Sequence, residues 1–238
     1  MLAVTDRRIY GSGLLESADI FNRRVNVPPS HKSEHLGIVP WEKERLQPAS
    51  YEIALGSQFR VFDPLVEVID PLDVKDYTKL VNIDDNEQEW YDVGYYLLRP
   101  GEFVLGTSVE TFTFPYDIAG ELTGKSRIGR MGIQVHSTAG FFDPGFNGTA
   151  TLEISNLSPV PVKLTPGLII AQMKFWMMSR PSEWPYGHPE RRNNYQNQFG
   201  PTPARQTARP QVRLLEDVQH EQLQLPGVDW KQYETRGR

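Results

Sequence analysis

The chain has 238 residues, with 25 Lys and Arg against 30 Asp and Glu for a formal charge of −5, and 39% hydrophobic and 23% charged residues; that suits a globular chain of one large or two small domains. It has no cysteine, which excludes disulfides, cysteine-ligated metal centres and the zinc nucleobase deaminases, whose metal sits on cysteine ligands. No apolar run approaches the ~20 residues that span a bilayer, and the acidic balance argues against nucleic-acid or anionic-membrane partners while leaving room for a local cationic pocket.

In chain order, Met1 to Arg8 turns charged too early for a secretory signal, so the expectation is a cytoplasmic protein. Thr5-Asp6 caps a predicted helix over residues 5–16 that stops near Gly11 and Gly13. Residues 22–48 are polar and proline-bearing and read as a long excursion. Strand-like runs follow at Tyr51–Leu55, Gln58–Phe62 and Val66–Ile69, then an acidic, loop-like stretch from Tyr77 to Trp90. Tyr95–Leu98, Phe103–Gly106 and Val109–Phe114 are further strands, with Pro100-Gly101 a turn. Residues 125–131 suit one short helix. Gln134–Ser137, Thr149–Ser155, Val160–Leu164 and Leu168–Phe175 are strands, with Pro166-Gly167 a turn. Short strands at this spacing predict an all-β fold, a barrel or sandwich. From about residue 179 the chain is polar, with seven prolines up to Pro226, and reads as a tail that wraps a surface or a neighbouring subunit, with residues 206–238 partly mobile.

Three stretches hold groups suited to chemistry. Lys125, Arg127 and Arg130 flank Ser126 after Gly124. In a helix Ser126 and Arg130 share a face, and the set can meet a phosphate or orient a carboxylate; a solvated basic turn is the plainer reading. Thr149 to Ser155 alternates, with Ala150, Leu152 and Ile154 on one face and Thr149, Thr151, Glu153 and Ser155 on the other. Glu153 is then either a water-facing carboxylate or a general base in a partly enclosed pocket, its pKa pushed toward neutrality. Asp143, before Pro144-Gly145, either caps backbone N–H groups or contacts a sugar hydroxyl or a water. Phe141-Phe142 and the run Met173–Met178 read as core, His136 as a packed or surface histidine, and His31 and His35 as surface histidines.

The ordered segments GKSRIGR (124–130), HSTAGFFDPGFNG (136–148), TLEISN (151–156), LTPGLIIAQM (164–173) and NYQNQFGPTPAR (194–205) resemble the dCTP deaminase branch of the dUTPase-like superfamily. Upstream, LQPASYEIALGSQFRVF (46–62) and LRPGEFVLGTSVE (98–110) are similar too, so the likeness runs from about residue 48 to 205. The resemblance implies a single domain: an N-terminal helix and excursion over 1–47, a distorted β-barrel of the dUTPase-like (β-clip) type over 48–178 and a tail over 179–238. It implies a homotrimer with active sites at subunit interfaces, and deamination of dCTP to dUTP without zinc, with Mg2+ accompanying the triphosphate. It offers dTTP as a candidate inhibitor.

By family pattern, Glu153 activates the water that attacks cytosine C4, Arg130 holds Glu153, Ser126 positions the water and the Ala139 carbonyl faces it. Lys125 and Arg127 lie near phosphates, and Asp143 meets the deoxyribose 3′-hydroxyl. Ile128, Gly129, Thr151, Leu152, Gln172, Tyr186, Asn194 and Gln198 complete the nucleotide pocket. Two positions depart from the pattern: the family has a second serine where Arg127 stands and a lysine where Asn194 stands. Monofunctional members carry a histidine after Thr-Ala, where this chain has Gly140-Phe141, as in bifunctional members that go on to dUMP. In dUTPases the aspartate matching Asp143 activates the hydrolytic water, so both reactions are chemically open. The product would feed thymidylate synthesis. The alternatives are a dUTP diphosphatase without deamination and a non-catalytic nucleotide-binding regulatory barrel.

Overall fold

β-Branched and aromatic residues in alternation give this chain its strands, and the partner each strand finds decides how long it runs. The computed structural model describes residues 13–14, 20, 35–83, 94–138, 140–191 and 193–206. In chain order the strands are β1 (Gly13–Leu14), β2 (Gly37–Val39), β3 (Leu46–Gln47), β4 (Ser50–Ala54), β5 (Gln58–Phe62), β6 (Thr78–Asn82), β7 (Tyr96–Leu98), β8 (Phe103–Thr113) and β9 (Ile118–Gly124). One helical turn, α1 (Ser126–Gly129), precedes β10 (Ile133–Gln134), β11 (Phe141–Phe142), β12 (Asn147–Asn156), β13 (Val162–Leu164) and β14 (Ile169–Met177).

The all-β expectation holds. One antiparallel sheet runs β11-β9-β14-β4-β3 with β1 added to β14, a second runs β10-β12-β8-β5-β6 with β2 added to β8, and β13 pairs with β7. Among the described residues the two large sheets do not close into one continuous barrel. They share a core of Tyr51, Ile53, Phe59, Val104, Phe112, Leu152, Ile154 and Phe175. Phe114 stands between them, with Phe112, Phe142, Phe146 and Phe175 ringed about it at centroid separations of 5.9–6.4 Å. Gly120 in β9 makes room for it: a Cβ there would lie 2.5 Å from Phe114 Cζ.

Several local expectations change. Phe103–Gly106 and Val109–Phe114 are one strand, β8, because β12 pairs along it with a single register shift between Thr149 and Thr151. The stretch read as an excursion contributes β2 and β3, paired to β8 and β4. The acidic stretch after Tyr77 begins as β6, paired to β5 over five residues. Val66–Ile69 forms no strand, since Pro64 and Pro71 bracket it and no ladder partner lies beside it. Gln134–Ser137 shortens to Ile133–Gln134. Strand β9 is new, and so is β11, where Phe142 is core but Phe141 is 59% exposed. In the Met173–Met178 run, Met173 and Phe175 are core while Trp176 and Met178 are exposed. Of the predicted 5–16 helix only Gly13-Leu14 is described, as a strand, and residues 207–238 lie outside the described residues.

Candidate functional site

The polar face of β12 opens onto a cavity of about 570 Å³. Its floor is the outer face of the second sheet: Thr151 and Glu153 from β12, Phe103 and Leu105 from β8, Phe62 from β5 and Thr78 from β6. Register sets this row, since Glu153 pairs with Leu105 and Leu105 with Arg60. The 63–77 connection supplies one wall through Ile69, Val74 and Tyr77. Phe141, Asp143, Tyr186, Tyr195, Gln198 and Arg205 supply the other.

Glu153 sits where the alternation of β12 puts it, with Leu152 and Ile154 fully buried on the opposite face. Its Oε2 accepts the backbone N–H of Ser137 at 2.7 Å and of Thr138 at 3.2 Å. Its Oε1 has no hydrogen-bond partner among the described residues. One oxygen therefore fixes the side chain and the other remains open to accept a proton.

Asp143 opens a turn in which Phe146 N–H donates to the Asp143 carbonyl at 3.1 Å, with Gly145 at φ +90°. Its carboxylate caps no backbone N–H among the described residues and lines the cavity instead. Desolvation raises its pKa above the ordinary carboxylate value, with Arg191 pulling the other way. Gly140 leaves no space for a side chain: a Cβ would lie 2.7 Å from the Leu122 carbonyl, because Leu122 N–H donates to the Gly140 carbonyl at 2.6 Å and holds the loop close. The neighbouring Phe141 ring thus reaches the cavity.

The tail is held to β12 through amides. Thr149 N–H donates to the Gln198 carbonyl at 3.0 Å, and Gln198 Nε2 donates to the Thr149 carbonyl at 2.8 Å. Asn147 N–H donates to Gln196 Oε1 at 3.0 Å and Asn147 Nδ2 to Asn197 Oδ1 at 2.9 Å. Gly148 permits the approach, since a Cβ at its φ of +149° would lie 2.5 Å from the Gln198 carbonyl. Tyr186 Oη accepts the N–H of Tyr195 at 3.1 Å, and its pKa is raised by desolvation.

The structure thus gathers Phe141, Asp143, Thr151, Glu153, Tyr186 and Gln198 around one cavity. Lys125, Ser126, Arg127, Ile128, Gly129, Arg130, Gly140, Leu152, Gln172 and Asn194 do not line it, and Ala139 lies outside the described residues. Ser126, Arg127 and Arg130 are exposed, and their side chains make no hydrogen bond or ion pair among the described residues. The α1 turn does bring Ser126 and Arg130 to one side, through Arg130 N–H donating to the Ser126 carbonyl at 3.0 Å. Lys125 and Gln172 belong to a separate polar row across β4, β14 and β9. Lys125 Nζ pairs with Glu52 Oε1 at 2.6 Å, while Gln172 accepts from Ser50 at 3.2 Å and donates to Thr123 at 3.2 Å.

Two parts of the cavity wall and one buried carboxylate were not foreseen from the amino-acid sequence. The 63–77 connection looked like a strand and a loop; its paired prolines, Pro64 and Pro71, were the usable signal. Tyr195 and Arg205 stood within a recognised segment without a role. Glu110, fully buried in β8, accepts the N–H of Ala54 at 3.1 Å and a guanidinium bond from Arg45. Burial pushes it up to about 7, against the pull of that N–H and of Arg45. No three His, Asp or Glu side chains among the described residues form a group that could hold a metal ion.

A protein-family model described as dCTP deaminase-like matches residues 26–178. The chain is 44% identical to a dUMP-forming dCTP deaminase of Corynebacterium glutamicum over 172 residues, 71% of this chain and 87% of that protein. It is 45% identical to one of Mycobacterium tuberculosis over 175 residues, 73% and 88% of the two chains. Among solved structures, the 2'-deoxycytidine 5'-triphosphate deaminase of Agrobacterium tumefaciens superposes with a TM-score of 0.50 at 19% identity. That match covers 70% of this chain and about half (48%) of the other, and is a likeness of fold.

Proposed function

The chain belongs to the dCTP deaminase-like family, and from that membership we propose that it deaminates dCTP at cytosine C4 and carries the product on to dUMP. The observation that carries the reading is the pairing of Glu153 and Asp143 in one cavity, the first with one carboxylate oxygen, and the second with its whole carboxylate, unbonded among the described residues. Glu153 Oε1 takes a proton from water as the oxygen attacks C4, and returns it to the exocyclic nitrogen, which leaves as ammonia. No zinc takes part. A second water, activated by Asp143, displaces pyrophosphate and leaves dUMP. Magnesium enters with the triphosphate, as part of the substrate, and dUMP is suited to thymidylate synthesis.

Ser126 and Arg130 serve this chemistry from a neighbouring subunit. Support comes from their exposure and their lack of side-chain partners among the described residues, beside a Glu153 already held by Ser137 and Thr138. The same reading assigns Lys125, Arg127 and Gln172 to the phosphates, with Asn194 and Gln198 closing the pocket from the tail. Their placement on two separate surfaces of one chain suits a homotrimer with shared sites, in a cytoplasmic setting.

Incubation with dCTP and Mg2+, resolved by ion-exchange chromatography, tests the proposal. The expected products are ammonia, dUMP and pyrophosphate, with turnover falling by ~10²–10⁴-fold or more in Glu153→Gln. Unchanged dCTP with the wild-type protein would sink it. A dUTP diphosphatase without deamination is the second reading, favoured by Ser126 and Arg130 standing outside the cavity. It requires dUTP hydrolysis to survive Glu153→Gln while dCTP goes unconverted by either protein.

A further inference from the structure

A triphosphate carries up to four negative charges, and the cavity already holds the carboxylates of Asp70, Asp143 and Glu153. Its lining offers two cations, Lys75 and Arg205. Lys75 is paired with Asp73 at 2.8 Å, both side chains 66% exposed. Arg205 is different. Its Nη1 donates to the Asn194 carbonyl at 2.7 Å, its backbone N–H donates to Tyr195 Oη at 3.2 Å, and its guanidinium lies 5.8 Å from the Tyr195 ring centroid. These contacts fix the group without neutralising it: a carbonyl and a ring face orient a cation and leave its charge intact. No carboxylate pairs with Arg205 among the described residues, although three line the same cavity. The remaining guanidinium donors have no partner among the described residues and can form the planar fork that matches a phosphate.

We propose that Arg205 binds the substrate's phosphates, supplying from the tail the positive charge that the neutral Asn194 beside it does not. The inference rests on the reading of the cavity as a nucleotide site and extends it to a residue of the tail. It also gives the Arg205–Asn194 bond a purpose: the carbonyl of 194 aims the cation that the side chain of 194 lacks.

The test pairs binding with kinetics in Arg205→Gln and Arg205→Lys. Affinity for magnesium tripolyphosphate and for deoxycytidine is measured by calorimetry, and KM and kcat for dCTP by turnover. In Arg205→Gln, tripolyphosphate binding weakens and KM for dCTP rises, each by ~10–100-fold, as loss of charge-assisted bonds predicts. Deoxycytidine binding stays within about threefold of wild type, because that ligand has no phosphate, and so does kcat for ammonia release, whose reacting atoms lie on the base. Arg205→Lys falls between, keeping charge and losing the fork. Tripolyphosphate binding equal in wild type and Arg205→Gln overturns the proposal, and so does a loss of deoxycytidine binding in the same ratio, which marks a merely structural tail contact. A wild-type protein that leaves dCTP unconverted yet binds tripolyphosphate through Arg205 removes the deaminase reading and keeps this one. Normal turnover with an unchanged KM in Arg205→Gln does the reverse.

Discussion

The carboxylates of Glu153 and Asp143 line one cavity, and their surroundings differ. Glu153 is anchored through one oxygen by two backbone N–H groups, so in the proposed deamination it keeps its aim while a proton comes and goes on the other. The Asp143 carboxylate makes no hydrogen bond among the described residues, and the turn beneath it holds its backbone. Asp143→Asn is therefore expected to slow dUMP formation more than deamination, and dUTP accumulates in a time course that shows dUMP for the wild type. Glu110 is a third carboxylate, buried in β8 and outside that cavity. Its folded pKa, near 7, stands above its ordinary value of 4.5. The folded chain then holds that proton more tightly than the unfolded one. The group's stabilising share is complete below about pH 4.5 and is lost as pH rises through about 7. Wild type should lose on the order of 3 kcal/mol between pH 4.5 and 8 relative to Glu110→Gln, read as a difference in urea midpoints. Equal pH profiles for the two proteins would show that Arg45 keeps Glu110 charged throughout.

Strand β12 links the tail to the cavity, with Gly148 near one end against Gln198 and Glu153 toward the other. Gly148→Ala forces a side chain onto a backbone conformation it rarely adopts and into the Gln198 carbonyl. A loss of about 1–3 kcal/mol follows, with KM raised because Gln198 and the residues after it leave the cavity wall. Circular dichroism melts and dCTP kinetics on the same preparation check both. The alternation of β12 was plain in the amino-acid sequence, as were β4, β5 and β14, because each buries one face or both against the core. Strand β9 was not legible. Ile118 to Gly124 has two glycines and no β-branched run, and it is a strand because β14 and β11 flank it and Phe114 needs the space over Gly120. Val66–Ile69 misled for the opposite reason, having the composition of a strand and no partner. For the site, side-chain identity and the period of β12 located Glu153, and the Asp-Pro-Gly turn located Asp143. No local pattern reveals that Ser126 and Arg130 stand apart from them, because that depends on how the two sheets fold around each other.

At the scale of the whole molecule, a site divided between chains has a distinctive signature. Glu153→Gln and Arg130→Ala are each expected to be inactive alone. Unfolded and refolded together in equal amounts, they should regain about a quarter of wild-type turnover, since random assortment in a cyclic trimer leaves that fraction of interfaces with both groups intact. No recovery, or a monomer by sedimentation, would place the entire site within one chain. The fastening of the tail has a separate consequence for behaviour in salt. The bonds joining Gln196, Asn197 and Gln198 to Asn147 and Thr149 run between neutral amides, so ionic strength has little hold on them, whereas it screens every attraction between cation and phosphate. Adding salt to the enzyme should make nucleotide leave a cavity whose walls stay standing: KM climbs, kcat holds, and the backbone amides of 147–149 and 197–198 exchange with deuterium no faster than before.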